Sequence, residues 1–307
     1  MENAGQERAI RYFTLLSLLG NTRQSRDIID YGDEYQSFVQ TGTINDGLIK
    51  AIGSKHMLER MLGTVASDFQ KLPRCYIVEQ GSPEYPSQLA QIPNASRFLF
   101  LQGDVSLLTR PIVSIVGTRQ PSDLGRWRAG KLAALLSRRG VIVASGLAKG
   151  IDAATHQGTL LAQGQTVAVL GTPLTQVYPK EHVALQHQIA LQGLLVSQFS
   201  PSMPVKRYNF PQRNATMSGL SLATVVIEAG ETSGALIQAD YALKQGRIVF
   251  IPQSAADNSQ LQWPKKLLAR SRNSYKFATI EEIEAVLGEA LTRFPQLSPA
   301  IVKQTGK

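Results

Sequence analysis

Cysteine is almost missing from this chain: Cys75 is the single thiol in 307 residues. One thiol closes no intramolecular disulfide and cannot supply the ligands of a cysteine zinc site. That usage fits a reducing, cytosolic home, with Cys75 placed in a strand core. Long apolar runs are absent too. None reaches the length of a membrane span, and "MENAGQERAIRYFTLLSLLG" has no cationic stretch before its apolar patch. The expectation is a soluble, cytoplasmic protein without membrane contact. No lysine follows a glycine loop in the G-x-x-x-x-G-K-[ST] pattern, which counts against ATP hydrolysis. Neither H-E-x-x-H nor a carboxylate cluster points to a metal, so no metal and no cofactor are expected.

Acid is scarce relative to base. Lys and Arg number 32 against 23 Asp and Glu, a formal net charge of +9 that suits a polyanionic partner. A soluble protein that is merely basic is the alternative. The apolar fraction of 43% is enough for a substantial core, and the length suits one large domain with a smaller appendage.

The first seventy residues read as helices. Ile10, Phe13, Leu15, Leu16, Leu18 and Leu19 make a broad apolar face, closed by "GNT". "LIKAIGSK" faintly resembles a helix-hairpin-helix turn, against the plainer reading of a small helical packing module. From about residue 72 the pattern changes to apolar runs: "CYIV", "FLFLQG", "PIVSIVG", "VIVASG", "TVAVLG", "LLVSQF", "ATVVIEAG" and "IVFIP". Most are rich in Val and Ile without period-two alternation, as strands buried on both faces of a parallel sheet should be. Amphipathic helices are predicted near 123–139, 150–163, 181–192 and 233–245, with a further helix near 279–287. "PSMPVKRYNFPQRNATMSG" reads as one long irregular connection. The pattern predicts an α/β fold: a Rossmann-like, doubly wound, mostly parallel sheet. Its parts are a helical N-terminal domain over 1–70, a sheet domain over 71–288 and a frayed tail over 289–307.

In an open parallel sheet, ligands bind beyond the carboxyl ends of the strands. Four runs end there in small residues, leading into "TRQPSDLG", "LAKGID", "TPL" and "ETSGA". Gly117, Gly146, Gly150, Gly171, Gly230 and Gly234 let backbone amides approach an anion, although each alone could simply permit a tight turn. The helices that follow add their positive ends to the same rim. Arg119, Lys149, Lys206, Arg207 and Arg213 fall in or beside these loops. Arg119 offers a planar donor fork for a phosphate; a salt bridge to Asp123 is the competing reading. Phe210, beside Tyr208 and the loop cations, reads either as a base-stacking surface or as a core anchor. Asp152 reads as a first-turn acid and His156, one turn on, as structural or ligand-orienting. Glu228 and Glu231 are the acids near a strand end that could act as a general base.

Taken together, "SIVGTRQPSDLG", "VIVASGLAKGIDAATHQGTLLAQGQTVAVLGT", "VYPKE", "GLLVSQF" and "NFPQRNATMSGLSLATVVIEAGETSGALIQADYALKQGR" resemble the DNA processing protein A family (DprA, also called Smf). The likeness runs over about residues 76–252. It implies an extended Rossmann-like domain that binds single-stranded DNA and hands it to a RecA-type recombinase in natural transformation, as a homodimer without catalytic turnover. Carried over, it implies that Gly117, Thr118 and Arg119 bind a DNA phosphate and that Ser145, Gly146, Lys149 and Gly150 line the pocket wall. Arg207 and Phe210 match the family's basic and base-stacking positions, Arg213 and Asn214 its "RN" pair. Glu228, Ser233 and Gly234 match the loop after the next strand. The chain departs from the pattern at Ala215, where the family has a second arginine, and at "VFIPQS" and "ADNSQLQWPKKLLARSRNSYKF". No pattern for the winged-helix domain of many members follows. Divergence of this kind leaves room for a role in general recombination or as a nucleotide or DNA sensor in phage defence. The alternative from another class is a phosphoribohydrolase of the lysine-decarboxylase-like Rossmann group. It is opposed by "EAGETSGA", which lacks that group's P-G-G-x-G-T-x-x-E.

Overall fold

The computed structural model describes residues 2–293. The tail predicted at 289–307 falls largely outside the described residues. Within them, the final helix runs Ile280–Arg293, through Gly288 rather than stopping at it. Nine strands form one sheet: β1 (Tyr76–Glu79), β2 (Phe98–Gly103), β3 (Ile112–Val116), β4 (Ile142–Ser145), β5 (Thr166–Leu170), β6 (Leu194–Ser197), β7 (Ala223–Val226), β8 (Ile248–Pro252) and β9 (Ser274–Phe277). Their order is β1-β2-β6-β5-β4-β3-β7-β8-β9. Every pair from β6 across to β9 is parallel, and β2 runs antiparallel to both β1 and β6. Residues of β3 through β8 are buried throughout, as unalternating Val and Ile runs require when helices cover both faces.

Counting outward from β3, the chain winds through β4, β5 and β6 one way and through β7, β8 and β9 the other. The switch point therefore lies between β3 and β7, and a crevice opens beyond their carboxyl ends.

Five helices precede the sheet: Glu2–Leu19, Arg23–Tyr31, Asp33–Thr41, Asp46–Ile52 and Lys55–Phe69. The "LIKAIGSK" turn is a helix-to-helix joint, with Gly53 left-handed at φ 90° and Ser54 capping the next helix. These helices sit on one face of the sheet because β2 alternates. Phe98 and Phe100 point to the helices, while Leu99 and Leu101 join the core on the opposite face. Tyr12 and Phe13 pack on Phe98, and Phe13 and Phe69 on Phe100, with ring centroids 5.4 to 6.1 Å apart. At the edge of that contact Arg97 bridges Asp30 at 2.7 Å and Glu79 at 3.1 Å. Cys75 lies just before β1, half-buried, where burial pushes its thiol up to about 11.

Two elements differ from the sequence reading. The supposed irregular connection is mostly helix, Asn209–Leu220. Pro211 sits in its first turn, where the missing N–H costs no hydrogen bond. Arg213, Thr216, Met217 and Leu220 then fall on one buried face. The substituted segment after β8 folds as the helix Trp263–Arg270 followed by β9.

Candidate functional site

The crevice is tied shut at its base by main-chain bonds between the two diverging loops. Ile227 N donates to Val116 O at 3.0 Å and Thr118 N to Glu228 O at 2.7 Å. A side chain at Gly117 would collide with Ile151 and approach Glu228 O to 2.8 Å, so the close pass requires glycine. Gly150 takes φ +79° just before the helix Ile151–Leu161, with its Cα packed against the Thr118–Arg119 backbone. Above these contacts lies a pocket of 440 Å³. Gly117, Thr118 and Arg119 form one wall, Ser233 and Gly234 the facing wall, and Phe210 the lip. Three helices, starting at Asp123, Ile151 and Gly234, begin at this edge and aim their positive ends toward it. A larger cleft of 680 Å³ separates the N-terminal helices from the sheet edge. Four of its charged lining residues, Arg8, Arg97, Asp30 and Glu79, are paired with one another.

Arg119 is exposed and, among the described residues, has no ion-pair partner; Asp123 pairs instead with Arg126 at 3.8 Å. Its guanidinium carbon stands 5.9 Å from the centroid of the Phe210 ring. Phe210 is half-buried, backed by Tyr178 at 5.3 Å and laid against Gly171, where a Cβ would come within 2.6 Å of the ring. The ring is thus fixed from behind and open toward the pocket. Tyr178, in "VYPKE", is a site residue that sequence reasoning left unassigned. Its signal was an aromatic beside proline on the same rim.

Other expected residues take different places. Arg213 is a correction as an open phosphate arm: it is 5% exposed, and its Nη1 donates to the carbonyls of Gly146 and Val169. Its Nε donates to Asn214 Oδ1 at 3.0 Å, so the Nη1 and Nε donors are spent within the fold, at the floor of the pocket that Arg213 lines. Ser145 is likewise beneath the pocket rather than on its wall, fully buried with Oγ donating to Ile115 O at 2.7 Å. Gly146 is buried with it, and a Cβ there would strike the Arg213 guanidinium. Lys149 is exposed and paired with Glu181 at 2.7 Å, and Arg207 is exposed outside the pocket lining. Asn214 donates to Gly234 O at 3.3 Å and ties the Asn209–Leu220 helix to the far wall. Ser233 caps the helix Gly234–Lys244. A Cβ at Gly234 would meet nothing within 4 Å, so the backbone there borders open space.

The acids are occupied. The Glu228 carboxylate accepts from Ser122 N at 3.0 Å and from Ser122 Oγ at 2.8 Å, anchoring the Arg119 loop. Glu231 accepts from Gln262 N and Trp263 N at 2.8 and 3.0 Å, and these amides hold its carboxyl below the usual range. Asp152 is a first-turn acid whose Oδ2 accepts from Ala148 N at 3.3 Å. Burial raises its pKa, and the charge of Arg213 opposes that rise. His156 is fully buried, and burial brings it down to about 3, so its ring is neutral. Thr166 Oγ1 donates to Val143 O, which leaves that oxygen to accept from His156 Nδ1 at 2.8 Å. Among the described residues no group of His, Cys, Asp or Glu is placed to hold a metal. No described helix is long and apolar enough to cross a membrane.

Fold and site together define a Rossmann-like α/β protein whose switch-point crevice sets an arginine beside an aromatic ring. Residues 76–286 match the model of the family DNA recombination-mediator protein A, and the chain belongs to that family. It is 35% identical over 226 residues to the DNA processing protein DprA of Bacillus subtilis, covering 70% of this chain and 74% of that one. With DprA of Streptococcus pneumoniae it shares 35% identity over 240 residues, 76% of this chain and 83% of the other. With protein Smf of Synechocystis it shares 39% over 223 residues, but these span only 55% of the cyanobacterial protein. The X-ray structure of S. pneumoniae DprA superposes with a TM-score of 0.72 at 26% identity, over 92% of this chain and 97% of that one. DprA of Helicobacter pylori, described for its single-stranded DNA binding mode, shares the fold. Its TM-score is 0.62 at 23% identity, covering 71% and 98% of the two chains.

Proposed function

We propose that the switch-point crevice binds single-stranded DNA without altering it, and that the protein acts as a homodimer delivering the strand to a RecA-type recombinase. The observation that carries the binding is the Arg119 guanidinium, which has no acidic partner among the described residues and is held over the open face of Phe210. A phosphate on the fork and a base on the ring is the pairing that suits single strands, whose bases are free to stack. Gly117 and Gly234 add main-chain donors around the phosphate, Thr118 and Ser233 add their hydroxyls because their amides are spent on Glu228 O and Gly230 O, and Arg207 extends the charge outside the pocket. Membership in a family of recombination mediators supports the delivery step. Absence of turnover is supported by the acids: Glu228 and Glu231 are bound to main-chain amides of their own fold.

The test is affinity for oligothymidylate, read by fluorescence anisotropy. Arg119→Ala should weaken binding by about tenfold or more, the worth of a charge-assisted bond, with thermal stability unchanged. Wild-type affinity in a folded Arg119→Ala protein would remove the crevice from the DNA path. Release of base from nucleoside monophosphates would instead support the phosphoribohydrolase reading. For delivery, the readout is recombinase filament growth on protein-coated strands, with and without this protein.

A further inference from the structure

We infer that the outward stripe of the Asp123–Arg138 helix is a second base-stacking station on the same DNA path, with Trp127 as its platform. This rests on the crevice binding single-stranded DNA and extends the path beyond it. Ala129, Leu132, Ala133 and Leu136 turn one side of the helix into the core. The opposite side carries Leu124, 52% exposed, and Trp127, 57% exposed, at helical i and i+3. Leu124 and Trp127 thus form a contiguous exposed apolar pair rather than a single exposed side chain.

Two observations say what covers it. Lys131, one turn further on, places its ammonium 4.5 Å from the Trp127 centroid. The helix carries Arg126, Arg128, Lys131 and Arg138 against a single acid, Asp123. Lys131 and Arg138 have no acidic partner among the described residues, so the stripe offers an apolar ring between uncompensated cations. That chemistry suits bases and phosphates better than the mixed surface of a protein partner.

Placement fits as well. Arg119 stands four residues before the helix, and its loop is locked to the helix cap, because Ser122 caps Gly125 N while bonded to Glu228. At 1.5 Å per residue Trp127 lies roughly 6 Å along the axis from Asp123. A strand leaving the Arg119 phosphate site over this loop meets Trp127 within its next few nucleotides. There a base stacks on the indole while Lys131 and Arg138 meet the flanking phosphates.

The chain contains its own probe. Its two tryptophans are Trp127 and Trp263, and Trp263 is 2% exposed. Oligothymidylate of about twelve nucleotides should quench the wild-type emission, and Trp127→Ala should leave only the unquenched Trp263 signal. Trp127→Ala should weaken that long oligonucleotide by about fivefold or more, while an oligonucleotide of about three nucleotides, confined to the crevice, binds as to wild type. Lys131→Glu, which keeps both indoles, should weaken the long oligonucleotide likewise. If wild type binds, Arg119→Ala loses binding, yet Trp127 stays unquenched and both helix variants bind within about twofold of wild type, the second station is wrong and the crevice stands. Loss of self-association in Trp127→Ala, with DNA binding intact, would likewise overturn it by making the stripe a protein-docking face. If wild type binds neither oligonucleotide, the crevice reading itself falls.

Discussion

His156 shows how much a single buried group can say once its partners are fixed. Its Nδ1 hydrogen is spent on Thr166, and it is held neutral, down to about 3, chiefly by burial, with the charges of His182 and Arg213 adding to the effect. A histidine in the unfolded chain titrates near 6.5. The stabilising term is therefore complete above pH about 6.5 and is lost as pH falls toward the folded value, because the unfolded chain takes a proton that the folded one refuses. Each pH unit in that window costs about 1.4 kcal/mol. Denaturant unfolding measured from pH 7 to pH 4 should show this acid slope, and His156→Gln should flatten it even if it lowers the plateau. An unchanged slope in a folded His156→Gln protein would mean that another group carries the acid response. Asp152 and His156 stand at i and i+4, and their places agree with reading them as a first-turn acid and a structural histidine: both are buried, beside the Arg213 guanidinium that fills the floor.

At the scale of elements, the loop between β3 and the Asp123–Arg138 helix is held by one carboxylate. Glu228 receives two bonds from Ser122, and Ser122 in turn caps the helix. Glu228→Ala should cost about 0.5–1.5 kcal/mol by handing the exposed Ser122 donors back to water, and should weaken DNA binding by loosening Arg119. Glu228→Gln keeps an acceptor oxygen and should retain most of both. Were Glu228 a general base, the two variants would be equally damaging to any turnover, so comparing them separates an anchor from a catalyst. Much of this architecture was legible beforehand. All eight apolar runs became strands, and the six from β3 to β8 are buried on both faces, as their unalternating apolar runs require. β9, "SYKF", escaped because an edge strand needs no apolar run, and half of its residues alternate with polar ones. The Asn209–Leu220 helix escaped because Pro211 reads as a breaker unless the helix start is already known. Arg213 looked like a rim cation for the same reason. Only a helix in this place turns it inward, between the ends of β4 and β5.

Across the whole molecule, the question is whether a formal charge of +9 would attract DNA anywhere or whether affinity is local. A diffuse field and a built site both give binding that weakens with salt, so the slope alone does not separate them. The difference lies in how the slope responds to one residue. For single strands, log affinity falls with log salt by about 0.7 per phosphate neutralised. Arg119, Lys206 and Arg207 are the cations in and beside the crevice that, among the described residues, no acid neutralises. Three contacts give a slope of about −2. Arg119→Ala should make it shallower by about 0.7, whereas a diffuse field would change by only one charge in the net total and leave the slope nearly as it was. Duplex DNA supplies the second axis. Its phosphates satisfy a diffuse field at least as well, but its paired bases cannot stack on Phe210, so a built site should prefer the single strand and Phe210→Ala should erase that preference. Equal affinity for both forms in the wild type, with a slope indifferent to Arg119, would reduce the protein to a basic surface.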